Sequence, residues 1–237
     1  MRLDTYLFDK KLVQSRNKAA ELIKAGCVFV NGVAERKSSV DVKDSDTILV
    51  EKIVTYVSRS GMKLKGFFGE IQALHVKGLS CLDIGSSTGG FVEVLLEEGA
   101  KSVTAVDVGS EQLHPSLRSN PTIKLFENMD IRVFNPEMTF DMVTCDVSFI
   151  GIEQILNDID RLAHKGIIIL FKPQFEVGKE VKRTTKGVVK DASAIMRAQQ
   201  KFESACVALG WSLIAKNDSL LKGKEGNAET FYYFEKR

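Results

Sequence analysis

Apolar residues recur at helical spacing near the start of the chain. A first helix is predicted by the apolar positions Leu3, Leu7, Phe8 and Leu12. A second is predicted after Ser15, a residue type that caps helices well, and its apolar side is formed by Ala19, Ala20, Leu22 and Ile23. Gly26 is a typical C-terminal stop. Two short helices are therefore expected before residue 27.

Alternating residues after these helices predict a small sheet. The run CVFVNGVAE (27–35) contains a short alternating strand, an Asn31-Gly32 turn that can take positive φ, and a partner strand. A further strand is predicted over Thr47–Glu51. Residues 1–52 are thus expected to form a small α+β domain, whose limited core would gain stability by docking on a neighbour.

From Leu79 onward, strand and helix patterns alternate. Strands are predicted over Ser80–Gly85, Ser102–Val108, Phe140–Phe149 and the run GIIILFKP (166–173), and helices over Gly90–Glu98, Ile152–Leu162 and Ala192–Leu209. Such alternation is typical of a parallel, doubly wound α/β sheet. An antiparallel hairpin at one edge is predicted by Leu213–Ser219 and Glu229–Lys236. We expect this α/β domain to span residues 67–237, after a basic linker over residues 53–66.

The overall charge balance is uninformative, but its distribution is not. The formal net charge of the 237 residues is +2. Residues 1–80 contain 14 basic and 9 acidic side chains, and residues 81–237 contain 19 and 22. A positively charged front module is expected of a protein that binds phosphate groups.

Membrane and metal signatures are missing from the sequence. The first residues, MRLDTYLFDKK, contain no apolar segment, and the longest strongly apolar run, Ile167–Phe171, is too short to cross a bilayer. His75, His114 and His164 are isolated, and the four cysteines form no CxxC pair. We expect a cytoplasmic protein with reduced thiols, no membrane association, no metal requirement and no stable protein partner.

The loop CLDIGSSTGGF (81–91) is the strongest local signal for a cofactor. Glycines after a buried strand let the backbone approach a ligand closely. Asp107, 22 residues after Gly85, lies where a carboxylate reaches the ribose of a bound nucleotide. Asp83 would repel a pyrophosphate but suits an ammonium group, so S-adenosylmethionine is favoured over NAD or ATP. The predicted cofactor residues are Asp83, Gly85, Ser86, Ser87, Gly89, Gly90, Asp107 and Asp130.

Two of these assignments have simpler alternatives. The glycine loop could be a tight strand-to-helix turn without a ligand. Asp130 is placed to accept a hydrogen bond from an adenine amino group, but it could equally belong to an ordinary surface loop.

Charged residues at strand ends are the candidate reacting groups. Asp146 and Lys172 each lie at the end of a predicted parallel strand, and both should face the crevice at the carboxyl edge of the sheet, where ligands bind. Lys63 precedes the first helix of the second domain, and Glu229 opens the last strand. Burying such groups without partners is costly, so mutual pairing or function is expected.

These residues resemble those of a known enzyme family. The loop DIGSSTGGF, together with Lys63, Asp146, Lys172 and Glu229, resembles the FtsJ-like RNA 2′-O-ribose methyltransferases, which carry a Lys-Asp-Lys-Glu tetrad in that chain order. The runs VSRSGMKLKG (57–66), CDVSFI (145–150) and FKPQFE (171–176) are similar to the TlyA subgroup, once labelled haemolysins. The resemblance implies a seven-stranded methyltransferase sheet and methylation of a cytidine ribose with S-adenosylmethionine.

Two details of the resemblance affect the expectations. FtsJ-like chains have Ala-Ala-Pro where this loop has Ser86-Ser87-Thr88, so the loop is expected to differ in its fine contacts. Family members with similarly short ends resemble those that modify large-subunit rRNA alone, so the 23S rRNA of the large ribosomal subunit is the expected substrate.

The first domain resembles the RNA-binding domain named after small-subunit ribosomal protein S4, on the run QSRNKAAELIKAGCVFVNG (14–32). The resemblance implies that basic side chains and the Asn31-Gly32 turn lie at an RNA face and position the backbone without determining its sequence. With the basic residues of the linker and of a later segment, the predicted RNA-contacting set is Arg2, Arg16, Lys18, Lys24, Asn31, Arg59, Lys65, Lys182 and Arg183.

The tetrad has physically distinct roles. A ribose 2′-hydroxyl is a poor nucleophile near neutral pH, so a base or a charge stabiliser is required. Lys172 is the expected base, oriented by Asp146, while Glu229 would position Lys63 and the ribose; Lys172 could instead stay charged and stabilise the alkoxide. Glu225 is close in sequence to Glu229 and is also available.

The long basic segment EVGKEVKRTTKGVVKD (176–191) is predicted to be a mobile RNA clamp, or else a solvated run of charge. Two other functions compete with methyl transfer. One is a ribosome-assembly protein that binds RNA without catalysis, and the other is a membrane-active haemolysin.

Overall fold

The computed structural model describes residues 1–50 and 56–236 of the chain. Contacts divide it into two compact units, residues 1–55 and 56–237. The predicted linker over residues 53–66 is wrong in its second half, because a helix of the second unit begins at Arg59. Residues 53–55 of that linker, and Glu51 of the strand predicted over Thr47–Glu51, lie outside the described residues.

The first unit consists of two helices and a three-stranded antiparallel sheet in the order β2-β1-β3. Ser15 caps the second helix by accepting a hydrogen bond from the amide of Lys18, and Gly26 ends it with a φ of +79°. The core contains Leu3, Leu7 and Ile23, all fully buried. The elements are α1 (Leu3–Asp9), α2 (Arg16–Ala25), β1 (Val28–Val30), β2 (Val33–Glu35) and β3 (Ile48–Val50).

The second unit is a seven-stranded sheet with helices on both faces. Its strand order is β6-β5-β4-β7-β8-β10-β9, with the first five strands parallel and β10 antiparallel to both of its neighbours. The strands are β4 (Ser80–Ile84), β5 (Ser102–Val106), β6 (Ile123–Phe126), β7 (Phe140–Cys145), β8 (Ala163–Phe171), β9 (Trp211–Asp218) and β10 (Thr230–Lys236). The predicted parallel sheet with an antiparallel edge hairpin is confirmed.

Two apolar clusters pack against the two faces of this sheet. One face carries Leu64 and Leu95 from α3 and α4, and the other carries Leu156 and Phe202 from α6 and α8. The helices are α3 (Arg59–Glu70), α4 (Gly90–Glu97), α5 (Pro115–Arg118), α6 (Leu156–Leu162), α7 (Pro173–Glu176) and α8 (Ala192–Ala208), with a 3₁₀ helix at Ile152–Ile155.

Two strands end well before their predicted limits, and the structure adds β6. β5 ends at Val106 rather than Val108, and β7 ends at Cys145 rather than Phe149, because the chain leaves the sheet to form the walls of a crevice. Glu229 lies one residue before β10. In the described part of the chain, no helix is both long and apolar enough to cross a lipid bilayer.

Candidate active site

The glycine loop connects β4 to α4 with three residues in the left-handed region, Gly85, Ser87 and Gly89. Gly85 has a φ of +79° and Gly89, which caps α4, a φ of +94°. A β-carbon at Gly85 would lie 3.0 Å from the backbone oxygen of Asp146. The loop therefore packs directly against the end of β7, and glycine is required for that approach.

Asp83 lies beneath this loop with only 1% of its surface exposed. Its Oδ1 accepts a hydrogen bond of 2.7 Å from Thr144, and its buried Oδ2 has no hydrogen-bond partner in the described structure. Burial raises the pKa of Asp83 to about 7, and the negative charges of Asp146 and Asp107 add to the rise while the Thr144 hydrogen bond opposes it. An unpartnered buried carboxylate is suited to binding an ammonium group.

A cavity of about 420 Å³ opens beside the loop. Asp107 at its edge accepts hydrogen bonds from the amides of Ser87 (2.8 Å) and Gly109 (2.7 Å), which fixes the carboxylate. The walls contain Gly85, Asp107, Val108, Met129, Asp130 and Phe149. Its mixture of apolar walls and fixed carboxylates fits a nucleoside.

Asp130 lines the same cavity but is not free. Both of its carboxylate oxygens accept hydrogen bonds of 3.0 Å from Nε of Arg132. This ion pair is a local feature that the sequence pattern did not reveal. The predicted contact of Asp130 with an adenine amino group stays a prediction.

The four predicted catalytic residues form two buried ion pairs. Nζ of Lys63, on α3, lies 2.6 Å from Oε2 of Glu229. Nζ of Lys172, at the end of β8, lies 2.6 Å from Oδ1 of Asp146 and donates to Ser148 at 2.9 Å. Glu229 is 3% exposed, whereas the alternative candidate Glu225 is exposed.

The two pairs influence one another. Burial raises the pKa of the Asp146 carboxyl, and the positive charges of Lys172 and Lys63 oppose this rise. Lys63, Asp146 and Lys172 line a second cavity of about 680 Å³, which Asp83 also borders. The sheet thus brings together residues that lie up to 166 positions apart in the chain.

The two cavities share part of their wall. Gly85, Ser87, Asp146 and Ser148 border both of them. Ser148 was not among the predicted site residues, because a serine two positions after a strand-end aspartate has no distinguishing sequence signal. A group held in the first cavity would meet a group held in the second at Asp146.

In the first unit, several predicted RNA contacts are involved in internal pairs. The buried carboxylate of Asp4 binds both Arg2 (2.9 Å) and Arg16 (3.4 Å), whose side chains remain about half exposed. The remaining members differ in their surroundings: Lys18 pairs with Glu21, Lys24 is exposed, and the side chain of Asn31 bonds to Asp46 and to the amide of Thr47.

In the second unit, two predicted RNA contacts have structural partners instead. Nζ of Lys65 lies between Glu97 (2.8 Å) and Glu98 (2.6 Å). The guanidinium of Arg183 donates to the backbone carbonyls of Gln174, Val177, Gly178 and Val181. The predicted RNA contacts of Lys65 and Arg183 stay predictions, and in this structure carboxylates and carbonyls of the chain already accept from their side chains.

Arg59 and Lys182 remain exposed. One nitrogen of Arg59 donates to the carbonyl of Lys222 at 3.1 Å, which leaves its other donors available. The basic segment around Lys182 is held by Arg183 and by the side chain of Asn227, which accepts from the amide of Val189. The predicted clamp is thus attached to the domain at both ends.

Family models match both units of the chain. The FtsJ-like methyltransferase model matches residues 56–236, and the S4 domain model matches residues 1–48. This chain belongs to the FtsJ-like methyltransferase family. Its methyltransferase domain is preceded by an S4 domain. The predicted resemblances of the two domains to these families are confirmed.

Relatives of this FtsJ-like protein include named rRNA-modifying enzymes. It is 49% identical to the 23S rRNA (cytidine-2′-O)-methyltransferase TlyA of Campylobacter jejuni, over 99% of both chains. It is 38% identical to the 16S/23S rRNA (cytidine-2′-O)-methyltransferase TlyA of Mycobacterium tuberculosis, over 98% of this chain and 88% of that one. A solved structure from Streptococcus thermophilus that carries the name hemolysin is 31% identical and superimposes with a TM-score of 0.72, covering 100% of this chain and 88% of the other.

Proposed function

We propose that this protein transfers a methyl group from S-adenosylmethionine to the 2′-hydroxyl of a cytidine in 23S rRNA. The observation that carries the proposal is the arrangement of the two cavities. One is bordered by Gly85, Ser87 and Asp107, the other by Lys63, Lys172 and most of the glycine loop, and Asp146 borders both. The choice of cytidine and of 23S rRNA rests on the 49% identical relative.

The first cavity and the wall that it shares with the second fit the proposed cofactor. Asp107, in the first cavity, is fixed by two amides and can accept from ribose hydroxyls. Asp83, which borders the second cavity, has a buried Oδ2 without a partner in the described structure that can accept from an ammonium group. Gly85 borders both cavities, so its backbone lies where the methionine portion would pass between them. When bound, the cofactor supplies an electrophilic methyl group on a positively charged sulfur.

Lys172 acts on the hydroxyl of the acceptor. As a base, its Nζ would accept the 2′-hydroxyl proton while that oxygen takes the methyl group that the bound cofactor would supply, with the carbon–sulfur electron pair left on the cofactor. The ammonium group that results lies 2.6 Å from Asp146, which stabilises it. The same contact also stabilises a Lys172 that stays charged throughout the reaction, so it supports neither role over the other, and the Lys172→Arg variant below separates them.

Lys63 and Glu229 position the acceptor. Their pair is almost fully buried and fixes the ammonium of Lys63 on the side of the cavity formed by α3. A fixed cation there can bind the ribose oxygens as negative charge develops. The S4 domain would hold the surrounding rRNA by its backbone, in the cytoplasm where ribosomal subunits are assembled.

Methyl transfer can be tested with labelled S-adenosylmethionine and ribosomal subunits from a strain that lacks the protein. We expect label in 23S rRNA at a cytidine 2′-oxygen, located by mass spectrometry, and loss of transfer in Lys172→Ala. Lys165→Ala is the matched control, because Lys165 lies on the same strand but is exposed. Tight RNA binding without transfer would instead support a non-catalytic assembly protein.

A second variant separates the two roles of Lys172. Arginine keeps a positive charge but cannot give up its proton at neutral pH. A base role predicts that Lys172→Arg is as inactive as Lys172→Ala and that the wild-type rate rises with pH. Partial activity in Lys172→Arg would identify Lys172 as a charge stabiliser.

A further inference from the structure

The turn between β9 and β10, residues 219–229, lies at the mouth of the second cavity and is fixed from two directions. Arg59 on α3 donates to the carbonyl of Lys222 at 3.1 Å. On the other side, the buried side chain of Asn227 accepts from the amide of Val189 at 3.0 Å, and its backbone carbonyl accepts from Gly223 at 2.8 Å. Hydrogen bonds from two sides therefore hold the turn in a defined position.

Lys224 projects from this turn and lines the cavity together with Arg59, Lys63 and Lys172. Lys63 and Lys172 are neutralised by Glu229 and Asp146. Within residues 1–50 and 56–236, neither Lys224 nor Arg59 forms an ion pair. The cavity mouth thus carries two uncompensated positive charges, contributed by different elements.

A ribose in this cavity brings a negative charge to the same place. The 2′-oxygen of an RNA ribose is bonded to the carbon next to the one that carries the 3′-oxygen, and the 3′-oxygen is esterified to phosphate. If the 2′-hydroxyl approaches Lys172, the attached phosphodiester must lie within a few ångströms of it, toward the opening. Among the described cationic residues that line this cavity, Lys224 and Arg59 are the two that are not paired with a carboxylate, so they are the ones available to bind the phosphodiester.

We propose that Lys224 and Arg59 form a subsite for the phosphodiester attached to the target ribose. The subsite deepens the proposed function and rests on it. It orients the sugar so that its 2′-oxygen faces Lys172, and it contributes no base selectivity because every nucleotide carries the same phosphate. Lys224 and Arg59 are positioning residues for the acceptor.

The test compares Lys224→Ala with Lys222→Ala. Lys222 lies on the same turn and is exposed, but its side chain does not line the cavity, so it is a matched control for the loss of one charge. For Lys224→Ala we expect about a tenfold rise in KM for the rRNA substrate, kcat within twofold of wild type, and unchanged affinity for S-adenosylmethionine. Lys224→Arg should bring the KM for rRNA back close to its wild-type value.

Filter binding of 23S rRNA over a range of salt concentrations gives a readout independent of catalysis. Loss of one phosphate contact should reduce the slope of log affinity against log salt by roughly 0.7 to 1 in Lys224→Ala and less in Lys222→Ala. Equal slopes and equal KM values for the two variants would overturn the subsite. Absence of methyl transfer by the wild type would count against the proposed function, while the salt slopes would still decide the subsite.

Discussion

Gly223 lies directly against the carboxylate of Glu229. A β-carbon at position 223 would be only 2.4 Å from Oε1 of Glu229, a separation that real β-carbons do not show. Because Oε2 of the same carboxylate binds Lys63, the turn between β9 and β10 and the catalytic pair cannot move independently.

Gly223→Ala should therefore impair catalysis without affecting the cofactor cavity. The added methyl group displaces either the turn or the Glu229 carboxylate, and a misplacement of about 1 Å in a positioned group can cost up to roughly a hundredfold in rate. We expect kcat for rRNA methylation to fall tenfold or more, with unchanged binding of S-adenosylmethionine measured by calorimetry.

Gly69→Ala is the control for this substitution. Gly69 lies in α3 with open space around its α-carbon, so alanine there should leave activity unchanged and raise stability by about 0.5–1 kcal/mol. Full activity in Gly223→Ala would show that the Glu229 carboxylate can be displaced without consequence.

The buried Asp83 predicts a pH dependence of stability. Its pKa is raised to about 7, so the native protein holds a proton that the unfolded chain releases above about pH 4. The free energy of unfolding of the cofactor-free protein should therefore fall as pH rises from 4 to 7. Asp83→Asn should remove on the order of 3 kcal/mol of this fall, measured by urea denaturation at pH 5 and pH 8.

Cofactor affinity should depend on the same carboxyl in the opposite sense. An ammonium group binds ionised Asp83 better, so between about pH 5.5 and 7, where the ligand's α-ammonium group stays protonated, affinity for S-adenosylmethionine should increase in the wild type and stay flat in Asp83→Asn. Burial also raises the pKa of Glu176 to about 7, so Glu176→Gln should change the stability profile but not the pH dependence of binding. An identical binding profile in Asp83→Asn and wild type would contradict this role.

Asp4 should stabilise the first unit through its two arginines. Hydrogen bonds from Arg2, opposed by burial and aided by Arg16, hold the pKa of Asp4 well below its usual range. This contribution is present above about pH 4 and is lost as pH falls below it. Asp4→Asn should cost roughly 1–2 kcal/mol at pH 7, measured by hydrogen exchange of the α1 amides, since the arginines are half exposed.

Asp44→Asn is the matched control for Asp4→Asn. Asp44 pairs with Lys10 at the surface and its side chain is 84% exposed, so its loss should change protection by less than about 0.5 kcal/mol. Equal hydrogen-exchange rates of the α1 amides in the two variants would show that the Asp4 carboxylate does not bind Arg2 and Arg16 when the protein is in solution.

Arg183 and Lys182 are neighbours with different expected roles. Arg183→Ala leaves backbone carbonyls of residues 174–181 without their donor, so amide exchange over 178–190 should speed up at least tenfold. Lys182→Ala should leave that exchange unchanged and weaken RNA binding in a salt-dependent manner. Equal exchange in the two variants would show that the guanidinium does not hold the segment.

The sheet was predictable from the sequence where its strands are buried on both faces. β4, β7 and β8 are nearly continuous apolar runs, and the structure buries them almost completely. β6 was missed because it is a four-residue edge strand whose alternate residues Lys124 and Phe126 are exposed. Edge strands expose one face and give a weaker pattern.

The site was predictable as a set of residues, but their partners were not all evident. The positions of Asp146 and Lys172 follow from the ends of parallel strands, and their pairing follows from the sheet order. The internal partners of Lys65 and Arg183 were not evident, because a basic residue has the same appearance in a sequence whether it faces solvent or an acceptor of the same chain. The partner of a basic residue is decided by packing between distant segments of the chain. Lys63 and Glu229, for example, are 166 positions apart and form a buried pair.

The wall that Gly85, Ser87, Asp146 and Ser148 contribute to both cavities has a consequence for inhibition. Because the two cavities are adjacent, one compound that links an adenosyl group to a ribose can occupy both of them. Such a bisubstrate ligand loses translational and rotational entropy once rather than twice, so it should bind more tightly than its two halves taken separately.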